Sequence, residues 1–480
     1  MDVKLTHPIY RIVGAAADRL GIRAFAVGGV VRDYFLGRHC TDIDIVCVGN
    51  GIELAQAAAA SINPNKEVAV FKNFGTASFH YNHNGEKWQI EFVGARKESY
   101  HFDSRKPVVT NGTLEDDQNR RDFTINAMAV GINEDNFGTL LDPFGGIRHL
   151  DQRLIKTPLE PGITFSDDPL RMMRAIRFAS QLDFAIDPST FRAIQENAHR
   201  ISIVSAERIH TELNKIILSP KPSVGFRLLL DSGLLEIIFP EMYRLKGVES
   251  VGQHAHKDNF FHTIKVLDNV ALKSDDLWLR WAAVLHDIGK PLVKRYDEKL
   301  GWTFHGHEYR GSKLVKSVFK HLRLPLDAKM KYVEKMVLLH MRPIVLAEDI
   351  VTDSAVRRLL FDAGEDIDDL MMLCEADITS SNEKKKQRFL DNFKLVRQKL
   401  EDLKEKDRVR LFQPPISGED IMTTFAVGPC REVGIIKDAI KSAIIDGTLP
   451  NEREEAWAMM LREAAQLGMY PVEKDQTGSE

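Results

Sequence analysis

Between Ala24 and Phe92 short β-rich runs alternate with stretches of helical spacing. AFAVGG, from Ala24, leads into a helix through Tyr34; DIDIVCV, from Asp42, reads as a strand, and an alanine-rich helix follows Gly51. TASFHYNHNGEKWQIEFV reads as two strands joined at Asn84-Gly85, a pair suited to a tight hairpin turn. This mixed pattern closes near DPFGG, where Asp142, Pro143, Gly145 and Gly146 punctuate the chain. Beyond Asp151 the strand signals fade, and Asp168 to Gln181, Pro188 to Ala198 and Ser205 to Ile217 show helical periodicity. The remainder reads as mostly helical, with a polar run, SSNEKKKQRF from Ser380 to Phe389, as a solvated helix start or a linker. No internal repeat or low-complexity tract interrupts it. The expectation is an α+β chain with a head over residues 1–150, a helical neck and body over 151–250, a third module over 251–390 and a helical tail over 391–480.

At 480 residues the chain exceeds what one hydrophobic core usually serves, in keeping with several domains. No apolar run approaches the roughly 20 residues of a membrane span. The opening MDVKLTHPIYRIVG lacks the basic-then-apolar pattern of a secretory leader, so cytoplasmic residence is expected. Cys40, Cys47, Cys374 and Cys430 form no CxxC pair and no spacing of a disulfide framework or zinc site, and are expected to be buried thiols. A net charge of −4 excludes a chain coated in positive charge, so any nucleic-acid contact needs a local basic surface.

Candidate chemistry begins with GGVVRD, from Gly28 to Asp33, followed by TDIDIV. Asp42 and Asp44 are two apart on the expected strand, so their carboxylates share a face. Glu91, on the second hairpin strand, offers a third oxygen ligand. Clustered carboxylates suit Mg2+, and a two-metal site suits in-line attack of a 3′-hydroxyl on a nucleotide α-phosphate. The paired glycines let backbone approach a triphosphate, and Arg32 supplies positive charge. Either a DxD or a GG alone is more often a plain loop or turn; together they carry more weight.

The segment Gly28 to Asp44 resembles the polymerase-β nucleotidyltransferase superfamily, and RRDFTINAM, from Arg120 to Met128, narrows this to the class II tRNA nucleotidyltransferase and bacterial poly(A) polymerase family. The resemblance assigns Gly28, Gly29 and Arg32 to triphosphate binding, Asp42 and Asp44 to the metal, Glu91 to a further catalytic place, and Arg121, Asp122 and Asn126 to sugar and phosphate contacts. RKESY, from Arg96, and the later KPVV match the family's flexible loop region. One departure follows DPFGG, where the family has an acidic residue near the position of His149; it bears on hinge contacts only.

DDPLRMMRAIRF is expected to place Asp167, Asp168, Arg171, Arg174 and Arg177 on one helix, with steps of three keeping Asp168, Arg171 and Arg174 near one face. Cytosine and adenine each present an exocyclic amino donor beside an unprotonated ring nitrogen, which a carboxylate and a guanidinium can pair with respectively. Guanine and uracil reverse that pattern. An arbitrary D-x-x-R-x-x-R is usually a salt-bridged solvated helix, but this stretch resembles the family's motif for base selection by protein. The resemblance gives Asp168 and Arg171 to the base edge, and Arg174 and Arg177 to phosphate and structural contacts. Arg208 and Lys215, in ISIVSAERIHTELNKII, match the neck that follows and are expected to hold the head and RNA.

Between Gly252 and Thr379 metal-ligand types accumulate: His262, the adjacent His286 and Asp287 of LHDIGK, His307, His340 and Asp377. A lone buried histidine is usually a satisfied core residue, whereas this set resembles the HD phosphohydrolase superfamily. Imidazole and carboxylate together suit Mn2+, Ni2+, Co2+, Fe or Zn. Some tRNA nucleotidyltransferases of the family carry an HD module with 2′,3′-cyclic phosphodiesterase or phosphatase activity. The tail, with SGEDIM and GPCREVG, resembles the family's tRNA-gripping region. The resemblance thus implies addition of CCA to the 3′ end of tRNA from CTP and ATP, by a monomer or homodimer that does not enter a membrane. A poly(A) polymerase or A-adding enzyme is the alternative; an RNA-binding protein with a retired site, or an HD hydrolase with the head as sensor, stands further off.

Overall fold

The computed structural model describes residues 2–72, 75–101, 104–248, 250–251, 254–255, 258–348, 352–379, 382–406 and 415–472. The chain divides into two compact units: Met1–Val251 with His256–Arg280 and Ser317–Leu326, and Gly252–Ala255 with Trp281–Lys316 and Asp327–Glu480. Among the described residues no helix is long and apolar enough to cross a membrane.

The first unit opens with α1 (Pro8–Leu20), β1 (Arg23–Val27), α2 (Gly29–Phe35), β2 (Asp42–Val48), α3 (Gly51–Ile62), β3 (Ala69–Phe71), β4 (Thr76–His83) and β5 (Glu86–Gly94). The paired strands β6 (Arg96–His101) and β7 (Ser104–Asn111) follow, then α4 (Leu114–Asn119), β8 (Ala129–Gly131), β9 (Leu140–Leu141) and α5 (Gly146–Asp151). Seven strands form one sheet in the order β3-β4-β5-β2-β1-β8-β9. β2 runs parallel to β5 and antiparallel to β1. The expected hairpin is β4–β5, and both Asn84 and Gly85 at its turn take positive φ. Alternation along β2 buries Ile43 and Ile45 on one face and leaves Asp42 and Asp44 on the other, beside Val27 of β1.

Register then does the chemistry's positioning: Asp44 lies opposite Glu91 on the parallel neighbour β5. The backbone of RKESY and KPVV forms the antiparallel pair β6–β7, where the sequence resemblance pointed to a flexible loop; their side chains from 98 to 109 lie outside the described residues.

Past the head, α6 (Pro161–Asp167), α7 (Leu170–Leu182), α8 (Pro188–Asn197), α9 (Ala206–Ile217) and α10 (Pro222–Asp231) form the helical neck. Met172, Met173, Ile176, Leu213, Ile216 and Phe226 are fully buried and supply its core. Arg280, 1% exposed, closes the carbonyl end of α9 through Ile217 and Ser219.

The second unit is mostly helical, with one small antiparallel pair of Arg295–Asp297 and Gly301–Thr303. Its terminal helices Gly418–Phe425, Arg431–Ile445 and Arg453–Gln466 enclose a small core of Ile421, Phe425, Ile436, Ile440, Ala456 and Met460. SGEDIM starts the first of these with a capping box, in which Ser417 and Asp420 satisfy each other's backbone N–H. Of the polar run SSNEKKKQRF, Ser380 and Ser381 lie outside the described residues, and the helix Glu383–Lys406 covers the rest from Glu383. Of the four thiols expected to be buried, Cys47 and Cys374 are, whereas Cys40 is half-buried and Cys430 is exposed.

Candidate functional site

Two adjoining clefts share Arg120 and Arg121. One, of about 270 Å³, is lined by Asp44, Glu91, Ser78, Arg120 and Arg121. The other, of about 450 Å³, brings Arg120, Arg121 and Asp122 together with Asp168, Arg171, Arg174, Arg208 and Glu212. Residues as far apart in sequence as Asp44 and Glu212 therefore line adjoining clefts.

At the first cleft Gly28 adopts φ +74°, and a Cβ there would sit 3.2 Å from both Asp44 Oδ2 and an Arg121 guanidinium nitrogen. A side chain at this turn is thus strained in backbone and crowded at once, which accounts for the glycine. Burial pushes the Asp44 carboxyl up to about 6; Arg121 opposes this, while Glu91 and Asp42 add to it. Asp44 and Glu91 line this corner together with Arg96, Arg120 and Arg121. Glu91 accepts a hydrogen bond from Gln89 Nε2 at 2.6 Å, and Asp42 is exposed at the strand's start.

Arg32 is held by Asp33 at 2.9 and 2.8 Å and donates to Asn126 Oδ1 at 2.8 Å. Asn126 donates to Asp122 Oδ1 at 3.0 Å, and Arg174 Nε donates to Asp122 Oδ2 at 2.7 Å. Burial disfavours an ionised Asp122, yet Arg174 and Asn126 outweigh it and hold the carboxyl at about 2. One continuous network so ties GGVVRD on α2 to the neck helix α7.

The expectation of one helix carrying Asp167 to Arg177 is corrected. Asp167 ends α6, Asp168 caps it in extended backbone, and α7 begins only at Leu170. The cause is Pro169, whose ring disfavours helical backbone at the preceding residue. Asp168 still reaches the cleft, with Oδ2 3.1 Å from an Arg208 nitrogen. Arg171 donates to the carbonyl oxygen of Arg120 at 2.6 Å. Arg174 lines the same cleft, but Arg177 does not: it is buried against Glu212 at 3.1 Å, and burial lowers its pKa to about 10 despite that partner. Lys215 approaches Glu212 at 3.9 Å. The sequence reading passed over Asp117, fully buried between Arg120 and Arg121, although its i+3 and i+4 spacing to them was available as a signal. His149 is buried on α5 at the end of the head and hydrogen-bonded to Thr124 Oγ1 at 2.9 Å, a neutral contact in place of the acidic one.

In the second unit each expected ligand stands at a helix end. His286 and Asp287 follow the helix Leu277–Leu285, His307 begins His307–His321, His340 caps Ala328–Leu339, and Asp377 closes Ile367–Asp377. Gly289 lets two of these ends meet, because a Cβ there would fall 2.1 Å from the His307 carbonyl oxygen. His286, His307 and His340 each direct Nδ1 at a backbone carbonyl, of Ala283, Phe304 and Val337, at 2.7, 2.9 and 2.7 Å. That fixes the proton on Nδ1 and leaves Nε2 as a ligand atom. His307 and His340 Nε2 are 3.2 Å apart, and ligand atoms of Asp287, His307 and His340 all lie within 4.8 Å of one another. His286 Nε2 is 3.2 Å from Asp287 and 3.7 Å from Asp377. Burial, with His286 nearby, lowers His340 to about 3, so its ring is neutral. Three converging imidazole Nε2 atoms beside two carboxylates fit a transition-metal ion. His262 lies on Asn259–Ala271 in the first unit, and its part in the ligand set rests on the sequence resemblance.

Three family models match in succession. They are the poly A polymerase head domain over residues 24–156, the probable RNA and SrmB-binding site of polymerase A over 183–245, and the HD domain over 259–412. An A-adding tRNA nucleotidyltransferase of Deinococcus radiodurans is 30% identical over 444 residues, 90% of this chain and 93% of that protein. A multifunctional CCA protein of Pseudomonas fluorescens (strain Pf0-1) is 33% identical over 319 residues, 64% of this chain and 72% of that protein. The fold is similar to that of the Bacillus stearothermophilus CCA-adding enzyme in complex with CTP, with a TM-score of 0.67 at 23% identity over 96% of this chain and 99% of that one. The chain belongs to the tRNA nucleotidyltransferase and poly(A) polymerase family, as a nucleotidyltransferase with an HD domain.

Proposed function

We propose that the protein adds CMP, CMP and AMP to the 3′ end of tRNA from CTP and ATP, releasing pyrophosphate, with no nucleic-acid template. The observation that carries this reading is the cleft that gathers Asp168, Arg171 and Arg174 beside the Asp44–Glu91 corner through the shared Arg120 and Arg121. Asp42, Asp44 and Glu91 would hold Mg2+, which when bound offsets charge at the α-phosphate and favours the attacking 3′-oxygen. Around it the chain's own groups orient the nucleotide. The Gly28-Gly29 turn admits the triphosphate, Arg32 and Arg121 meet its charge, and Asp122 with Asn126 holds the sugar side. Asp168 accepts from the exocyclic amine that C and A share, and Arg171 donates to the adjacent ring nitrogen. Arg174 steadies the phosphate side and Arg177 the helix beneath it.

The HD centre is the site of a second reaction, metal-dependent hydrolysis of phosphate at RNA 3′ ends, with Mn2+, Ni2+ or Co2+ held by His286, Asp287, His307, His340 and Asp377. The tail helices grip tRNA, and a tRNA substrate places the protein in the cytoplasm. Replacing His286 and Asp287 by Ala is expected to remove bound transition metal and any 2′,3′-cyclic phosphodiesterase activity while sparing CMP and AMP addition. Metal analysis of the purified variant reads this; full metal occupancy would show that the ligands lie elsewhere.

An A-adding activity is the second reading, favoured by the relative that spans 90% of this chain. Two tRNA substrates separate them, one lacking all of CCA and one ending in CC. A CCA-adding enzyme extends both, whereas an A-adding enzyme extends only the second.

A further inference from the structure

We propose that Asp117 is a positioning residue that sets the register between the triphosphate corner and the base-reading cleft. This rests on the nucleotidyl-transfer reading and names a determinant of nucleotide choice that touches neither metal nor base.

The Asp117 side chain is fully buried on α4. Its Oδ1 pairs with Arg120, and its Oδ2 accepts from Arg121 Nε and Nη2 at 3.0 and 2.9 Å. Arg121 then donates to the Asn126 carbonyl at 3.2 Å and stands beside Asp44 at the Gly28 turn. Arg120 turns the other way: its carbonyl oxygen anchors the Arg171 guanidinium at 2.6 Å. A single buried carboxylate so fixes one arginine of the metal corner and the residue on which the base-reading arginine rests. Burial disfavours its charge, but Arg121 and Arg120 together outweigh that cost and keep it ionised. Its helix is itself anchored, since Gln118 Nε2 donates to the carbonyls of Ala127 on the flank of β8 and Leu141 in β9, at 2.8 and 3.3 Å.

A positioning role predicts that metal-corner binding and base choice change together. Asp117→Asn removes the charge. Asp117→Glu keeps it but lengthens the arm by one methylene, displacing both guanidinium groups in a protein that retains its ion pairs. Asp116→Asn, which weakens only the Thr113 capping box of the same helix, is the control for plain helix destabilisation. The measurements are calorimetric binding of CTP with Mg2+, KM and kcat on trimmed tRNA, and incorporation of all four nucleotides. Asp117→Asn and Asp117→Glu are each expected to weaken CTP binding and raise KM about tenfold, with a comparable loss of discrimination against UTP and GTP, about 1.4 kcal/mol in each reading. Asp116→Asn should lower the melting temperature with KM and discrimination unchanged. If Asp117→Asn fails to fold, Asp117→Glu alone decides. Wild-type KM and discrimination in folded Asp117→Glu would overturn the proposal. Absence of nucleotide addition by the unmodified protein would instead overturn the functional reading beneath it.

Discussion

Asp44→Asn is expected to cut nucleotide addition by about a thousandfold or more, and at the same time to raise the melting temperature of the metal-free protein at pH 8 by about 2–4 °C. The first effect follows from removing a ligand charge at the metal corner, where several kcal/mol of charge stabilisation arise. The second follows from burial. Asp44 stands at about 6 in the folded chain, above the roughly 3.9 of an unfolded aspartate. The folded state therefore binds this proton more tightly than the unfolded one. Its contribution to stability is present below about pH 4 and is lost as pH rises through 6, leaving a deficit of about 3 kcal/mol at pH 8. Asparagine is neutral throughout, so it recovers that deficit at pH 8 and recovers nothing near pH 4. Melting curves at the two pH values, without and with Mg2+, read the effect. A variant less stable than the wild type at pH 8 would show that Asp44 supports the fold instead of burdening it. In the same way Mg2+ binding by the wild type should weaken as pH falls below 6, because the proton competes for the carboxylate.

The second large effect concerns base choice. Asp168→Ala or Arg171→Ala leaves one group on the nucleotide edge unpaired, at a cost of about 1–3 kcal/mol. That corresponds to roughly one to two orders of magnitude in kcat/KM for CTP and ATP. Discrimination against UTP and GTP should narrow at the same time, because the reading group is lost and the triphosphate contacts remain. Incorporation of all four nucleotides by each variant, with Arg192→Ala on the neighbouring helix α8 as control, makes the comparison. A uniform loss across the four would assign this helix to the fold or the triphosphate alone.

The parts of this arrangement that repeat at short period could be read from the chain. Alternation placed Asp42 and Asp44 on one face, and Asn84-Gly85 marked the hairpin. The helices α8 and α9 begin and end within a residue or two of the sequence expectation. What escaped depends on local override or on partners distant in sequence. The helix through Asp168 was drawn through Pro169, and the proline won. Arg177 shares the spacing of its neighbours, yet its burial against Glu212 is set by how α7 packs on α9, which no single-helix pattern shows. Asp117 lay hidden in an acidic run, LEDDQN, that reads as a solvated helix start until the sheet beneath it is in place. In the second unit residue type pointed to the candidate ligands, while the fixing of each imidazole by a carbonyl three residues back follows only from the local backbone, the end of a helix for His286 and His340 and the turn before one for His307.

The most direct test is the product formed on a tRNA lacking its last three nucleotides, with each nucleotide supplied separately and then CTP and ATP together. CTP alone should give two added residues and a stop, ATP alone little extension, and the pair a single product ending in CCA. Extension by ATP alone into a long tail, or no extension without a CC end already present, would contradict CCA addition by this chain.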